Sequence, residues 1–288
     1  MYKMKKFLKF LYQSANLCFD TIVSFLSVLL FSSFKPNRIF KQQCDLYKDS
    51  DCYILGNGSS LADFLEDCTL EDKNIMVVNY FASTPYFQKI KPNFYIVLDN
   101  ILIGRSERQS SKEKVEKLYN DLLSVNWPIT FLYPSNGDKG IFELLRKNKF
   151  ITTIIYNMTP VSGVKVISHW LYKKSLGMPS PQNISNAAVF CAINLGFKKV
   201  YLYGVEHSWM KSFDVHPKYH RIYMNDGHFY EKENIRWFNR GDYCNWLKYI
   251  HRAMLSHFEL REYADCLGVK VINKTSKSFI EAYEFEEY

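Results

Sequence analysis

Short apolar runs bounded by Gly, Asn and Asp recur along the chain from residue 52 onward. Cys52–Leu55, Ile75–Val78, Phe94–Leu98, Ile129–Tyr133, Thr152–Tyr156, Lys199–Tyr203 and Val269–Ile272 read as strands. Each is too short for a helix and is rich in β-branched or aromatic residues. Between them, Leu61–Leu65, Lys112–Leu123, Asn186–Leu195 and Trp246–Leu267 read as helices, the last two followed by Gly196 and Gly268 at the stop position. Strand cores that are apolar throughout and alternate with helices indicate a mostly parallel sheet covered on both faces, an α/β Rossmann-like architecture. Met210 to Tyr243 follows neither period and is rich in aromatic, His, Asp and Arg residues. An unpatterned stretch of that length inside a compact domain reads as an irregular lid or binding loop, at about residues 208–244.

The first residues depart from this pattern. Asp20 is the only charge between Phe10 and Phe34, and Thr21 to Phe34 carries none. Lys3, Lys5, Lys6 and Lys9 precede the apolar stretch, and Lys35, Arg38 and Lys41 follow it. The uncharged run is shorter than the ~20 residues a spanning helix needs. The absence of a small-residue cleavage site after it disfavours a cleaved signal peptide. Residues 1–45 are therefore expected to form a basic, apolar helix lying in an anionic membrane surface. A helix docked on its own domain fits equally well, and a true span fits less well. Residues 46–288 form the expected α/β catalytic domain.

Composition narrows the partners. Hydrophobic residues make up 47% and charged residues 23%, which excludes wholesale disorder. The net charge of +8 favours anionic partners, but the basic residues are interleaved with acids rather than striped, which disfavours nucleic acid. The seven cysteines are scattered and form no C-x-x-C pair, so they read as free thiols rather than a zinc site or disulfide framework. Asp49-Ser50-Asp51 precedes the first strand and reads as a polar turn, so no residue is assigned to a metal.

Candidate chemistry begins where the first strand ends. Gly56-Asn57-Gly58-Ser59-Ser60 lies between a strand and a helix, where glycine allows close approach of a ligand and helix amides favour a phosphate. Asn79, Asp99 and Asn100 also fall at strand ends, and parallel strands would turn all three toward one crevice. Amide side chains both donate and accept, which suits a base edge, a ribose or a sugar. Glu206 and His207 end a later strand in Gly204-Val-Glu-His-Ser-Trp209, and His216, His220 and His228 lie in the lid region.

The stretches ILGNGSSL, VVNYF and SNAAVFCAINLGFKKVYLYGVE resemble the bacterial sialyltransferases of glycosyltransferase family 42 and the related MptE-like proteins, which carry the domain of unknown function numbered 115. The likeness covers residues 52–80 and 185–206. Ser59 stands where proline is usual, and Ser185-Asn186 where Ser-Gly is usual. The resemblance implies a GT-A-like variant of the fold that needs no metal or other cofactor, the nucleotide sugar being a substrate. It implies transfer of a sugar, CMP-sialic acid by preference, to a surface glycan or lipid-linked acceptor. It places the protein in the bacterial cytoplasm, peripheral on the inner face of the cytoplasmic membrane, and an oligomer is compatible with it. By resemblance, Asn57, Gly58 and Ser59 contact the phosphate and ribose, Asn79 the nucleotide, and Ser185 the donor sugar. With their neighbours, the expected donor-binding set is Gly56, Asn57, Gly58, Ser59, Ser60, Asn79, Asp99, Asn100, Ser185 and Glu206. The base is a lid histidine, with His228 in His228-Phe229-Tyr230 the nearest counterpart and His207 the rival; Tyr230, Tyr219 and Tyr223 are candidates to stabilise the leaving phosphate. Arg221, Arg236 and Arg240 are candidates to hold an anionic substrate. The alternatives are an MptE-like 6-hydroxymethylpterin diphosphokinase and a non-catalytic nucleotide-sugar-binding protein.

Overall fold

The computed structural model describes residues 2–67, 70–106, 112–225 and 235–286. Its centre is an eight-stranded sheet whose pairings are all parallel. Strand β1 (Asp51–Leu55) lies inside it, and β2 (Asn74–Val78), β3 (Phe94–Ile96), β4 (Ile129–Pro134) and β5 (Ile151–Tyr156) add successively on one side. The chain then crosses back to place β6 (Lys199–Tyr203) on the other side of β1, followed outward by β10 (Lys270–Asn273) and β11 (Glu284–Phe285). Strand order therefore reverses between β1 and β6. The expected α/β Rossmann-like fold is the fold observed.

The sheet is covered on both faces because successive strand residues feed two separate cores. Cys52, Ile54, Met76, Val78 and Ile96 point into one, and Leu55, Ile75, Val77, Tyr95 and Val97 into the other. Helices α3 (Leu61–Asp67), α4 (Tyr86–Ile90), α5 (Lys112–Leu123) and α6 (Lys139–Leu145) occur in the first half of the domain. Helix α7 (Lys165–Lys173), α8 (Ile184–Asn194) and α9 (Asp242–Leu267) occur in the second half. Helix α8 is apolar all round and buried from Ser185 to Ile193, and its alanines allow close packing. Strand β3 is shorter than expected, because the Leu98 amide donates to the side chain of Asn79 instead of continuing the ladder.

Two regions differ from the sequence expectation. The stretch expected to be an irregular lid contains an antiparallel sheet of β7 (Phe213–His216), β8 (Arg221–Asn225) and β9 (Ile235–Trp237). The N-terminal helix α1 runs over Tyr2–Phe31, well beyond the uncharged run, and by length and composition alone could cross a membrane. Its last turns, however, are bonded to the loop after β5. Thr21 Oγ1 accepts from the Val164 amide at 2.9 Å, and Ser24 Oγ donates to the Ser162 carbonyl and accepts from its amide. A Cβ at Gly163, where φ is +112°, would lie 2.2 Å from Thr21 Oγ1, so the loop fits under the helix only as glycine. Residues 4–20 stand almost wholly exposed, Phe7, Phe10 and Phe19 among them. Helix α2 (Lys35–Tyr47) belongs to the α/β body: Phe40 is in its core, and Tyr47 stacks on Phe197 at 4.7 Å.

Candidate functional site

Open α/β sheets bind ligands at the carboxyl ends of the strands where their order reverses. A cleft of about 200 Å³ lies there, between the loops that follow β1 and β6. It gathers Gly56, Asn57, Gly58, Ser59, Asn79, Asp99, Ser185, Glu206 and His207 from the sequence-predicted set. Ser60 lies just outside the lining but bonds to Glu206. Asn100 is exposed and outside it, its carbonyl accepting from the Arg105 amide. His228 and Tyr230 lie outside the described residues. Asp49-Ser50-Asp51 sits at the amino end of β1, the opposite edge of the sheet.

The glycine-rich loop is shaped by its contacts with β6 and the turn beyond. The Gly56 amide donates to Tyr203 at 2.7 Å and the Gly58 amide to Gly204 at 2.9 Å. A Cβ at Gly56 would stand 2.2 Å from the Gly204 oxygen, and one at Gly58 would stand 1.3 Å from Glu206 Oε2. Glu206 is buried, and its Oε1 accepts from both the amide, at 2.7 Å, and the hydroxyl of Ser60. The Leu61 amide donates to Gly58. Only the Asn57 and Ser59 amides of this loop are without a partner among the described residues. Within the expected phosphate cradle, the Ser60 amide is therefore already engaged by a carboxylate. The described lining contains no Lys or Arg.

A buried imidazole pair stands beside the cleft, with His207 on its lining. Asn183 caps α8, its side-chain oxygen accepting from the Asn186 amide at 2.9 Å and from the Ser185 hydroxyl at 2.6 Å. Ser185 Oγ is 3.1 Å from His207 Nε2 and 3.4 Å from His257 Nε2, and His257 Nδ1 is 2.8 Å from the Tyr283 hydroxyl. Trp209 stacks on His207 with 4.4 Å between ring centres. Burial pushes the His207 pKa down to about 3; burial and then the neighbouring His207 push that of His257 well below its ordinary value. Both rings are therefore neutral near pH 7. His207 suits hydrogen bonding better than proton abstraction, for which a pKa near the working pH is needed. Ser185 lines the cleft as expected, but its hydroxyl is engaged inside the protein.

Three buried side-chain atoms of lining residues have no hydrogen-bond partner among the described residues: Asn57 Oδ1, Asn183 Nδ2 and His207 Nδ1. Asn57 Nδ2 donates to the Val78 carbonyl. Asn79, with φ at +47°, ties two strand ends together by accepting from Leu98 with its side chain and from Tyr95 with its carbonyl. Asp99 is exposed and makes a local turn to the Ile101 amide. None of the candidate lid residues among the described ones reaches the lining. Arg221 lies over Trp237, Arg236 over Phe238, and Tyr223 donates to Asp214. Tyr219 and Arg240 are exposed.

Asn183 and Tyr283 were not singled out from the sequence, Trp209 entered only as the end of a motif, and His257 reads there as a packing or solvent residue of a helix. Asn183 precedes an apolar helix and had a readable N-cap signature, whereas His257 in mid-helix and Tyr283 near the end of the chain carried none. Among the described residues no three His, Cys, Asp or Glu side chains cluster as metal ligands. No protein-family model matches the chain, and no curated protein matches it.

Proposed function

We propose that the protein is a sialyltransferase-like glycosyltransferase that moves a sugar from a nucleotide donor, CMP-sialic acid by preference, to a glycan or lipid-linked acceptor. The observation that carries this reading is the convergence of the Gly56–Ser59 loop, Asn79, Asp99, Ser185, Glu206 and His207 on one cleft at the strand-order reversal. A CMP-sugar brings a single phosphate, which asks less of a cleft lined by amides, hydroxyls and imidazole than a diphosphate does. In the reaction, the acceptor oxygen bonds to the anomeric carbon as its proton passes to a base, assigned here to His228. The bond from that carbon to the phosphate oxygen breaks, its electron pair leaving with CMP, and Tyr230 stabilises the departing phosphate. The exposed apolar and lysine-bearing part of α1 holds the enzyme on the inner face of the bacterial cytoplasmic membrane, where a lipid-linked acceptor is presented.

A thermal-shift panel of CMP, CDP, UDP, GDP and ATP, with and without Mg²⁺, tests the reading. CMP at 100 times its Kd should add about 2.7 kcal/mol of stability. Stabilisation only by ATP with Mg²⁺ would replace this proposal by the diphosphokinase alternative, and no response to any nucleotide would refute a nucleotide site.

A further inference from the structure

We propose that Ser185 is the hub of a proton-ordered network that holds His207 in one neutral tautomer, so that this wall of the cleft takes hydroxyl groups of the ligand and not its phosphate. The inference rests on the reading of the cleft as a sugar-nucleotide site and names what its buried wall recognises.

The proton order follows from the cap of α8. The Asn186 amide identifies the capping atom of Asn183 as the oxygen, an acceptor only. Ser185, 2.6 Å away, must direct its one proton to that oxygen. Both imidazole Nε2 atoms then face hydroxyl lone pairs, and each must carry a hydrogen. A neutral ring holds only one, so both Nδ1 atoms are bare acceptors. His257 Nδ1 is satisfied by the Tyr283 hydroxyl, whereas His207 Nδ1 has no partner among the described residues. Ser185, His257 and Tyr283 are positioning residues in this scheme.

The orphaned atoms of these lining residues are thus two acceptors, His207 Nδ1 and Asn57 Oδ1, and one donor, Asn183 Nδ2. The bond from Asn57 Nδ2 to Val78 fixes the identity of the Asn57 oxygen. Hydroxyl groups donate as well as accept and meet both kinds of atom. An ionised phosphate only accepts, so two of the three atoms would repel it. The Glu206 carboxylate, seated on the Ser60 amide, is likewise an acceptor and offers a phosphate no hydrogen.

Long-range ¹H–¹⁵N spectra of the full chain with labelled histidine, followed by titration, test the proposal. In the empty protein at neutral pH, His207 should be neutral with its hydrogen on Nε2. Cytidine should shift its Nδ1 resonance, inorganic phosphate should not, and CMP should bind within about threefold of cytidine. Losing two hydroxyls in 2′,3′-dideoxycytidine should weaken binding about ten- to hundredfold, since each leaves a buried polar atom unpaired. Ser185→Ala should release the tautomer and Ser185→Thr should keep it. A hydrogen on Nδ1 in the empty protein, an Nδ1 shift caused by phosphate alone, or unchanged binding of the dideoxy compound would overturn the proposal. If nucleosides fail but free N-acetylneuraminate still shifts Nδ1, the hydroxyl wall stands and the nucleotide reading falls. If no hydroxylated probe shifts it, the wall itself is refuted.

Discussion

Acidification should destabilise this protein through its cleft. His207, with a pKa near 3, and His257, held well below its ordinary value, are neutral in the folded state, while an unfolded histidine titrates near 6.5. Folded-state values below the unfolded one mean that the unfolded chain binds the extra protons. Stability is therefore full above about pH 6.5 and declines as pH falls below it. His207, still neutral at pH 5, costs about 2 kcal/mol there, and His257 adds to the loss in the same direction. Glu259 acts in the opposite sense: burial, with a smaller push from Glu262, raises its carboxyl from 4.5 to about 7. The folded state takes up that proton first, returning roughly 2 kcal/mol as pH falls from 7 to 5. Urea unfolding at about pH 7.5 and about pH 5 should accordingly show a loss of at least about 2 kcal/mol in Glu259→Gln, and one smaller by roughly 2 kcal/mol in the natural protein. Adding His207→Gln and His257→Gln to that variant should flatten the dependence. If Glu259→Gln loses less than about 1 kcal/mol, the imidazoles carry protons in the fold and the reasoning fails.

The loop, the N-terminus and the catalytic assignment give further tests. Gly58→Ala should cost roughly 1–3 kcal/mol in urea unfolding by expelling the Glu206 carboxylate. Combined with Glu206→Ala, it should be no less stable than Glu206→Ala alone, and additive losses would show that the clash is not the cause. Deleting residues 2–20 should leave the unfolding midpoint unchanged and abolish sedimentation with anionic vesicles; persistent sedimentation would place the membrane contact elsewhere. Starting the chain at Asp45 instead should destabilise it by at least the ~3–5 kcal/mol of a Phe40→Ala change, because Phe40 is in the core. His228→Ala should lower kcat by ~10²–10⁴-fold with CMP affinity unchanged, whereas His207→Ala should weaken CMP binding; the reverse pattern in kinetics and titration would exchange their roles.

The parts of the fold that were legible are those where one physical demand dominates. Buried parallel strands must be apolar on both faces, so Ile75–Val78 and Lys199–Tyr203 stand out. The lid strands are short and carry mixed residues: Phe213 and Met224 face one way, while Asp214 and Tyr223 face the other, and the alternation lasts too briefly to register. The length of α1 was hidden because its apolar run is interrupted by Gln13, Ser14 and Asn16, which do not break a helix. The strand-end residues Asn57, Asn79 and Glu206 were readable from their places in the pattern, since parallel strands bring such ends together. Whether they bind a ligand or each other depends on distances that no spacing encodes: Glu206 caps Ser60, and Asn79 ties Leu98. His257 and Tyr283 join the network behind Ser185 from distant stretches through burial alone.

The reversal of strand order also sets a clock on synthesis. Strand β1 pairs with β6, and the Ser60 amide waits for a carboxylate that is made 146 residues later. At ~5–20 residues per second, the ribosome takes about 7–30 s to cover that separation. Through that interval β1 has its partner on one side only, and the glycine loop is without its acidic cap. The growing chain meanwhile carries the exposed apolar helix α1. Early capture of that helix by a bilayer or a chaperone would shield the half-built sheet until the crossover strand arrives.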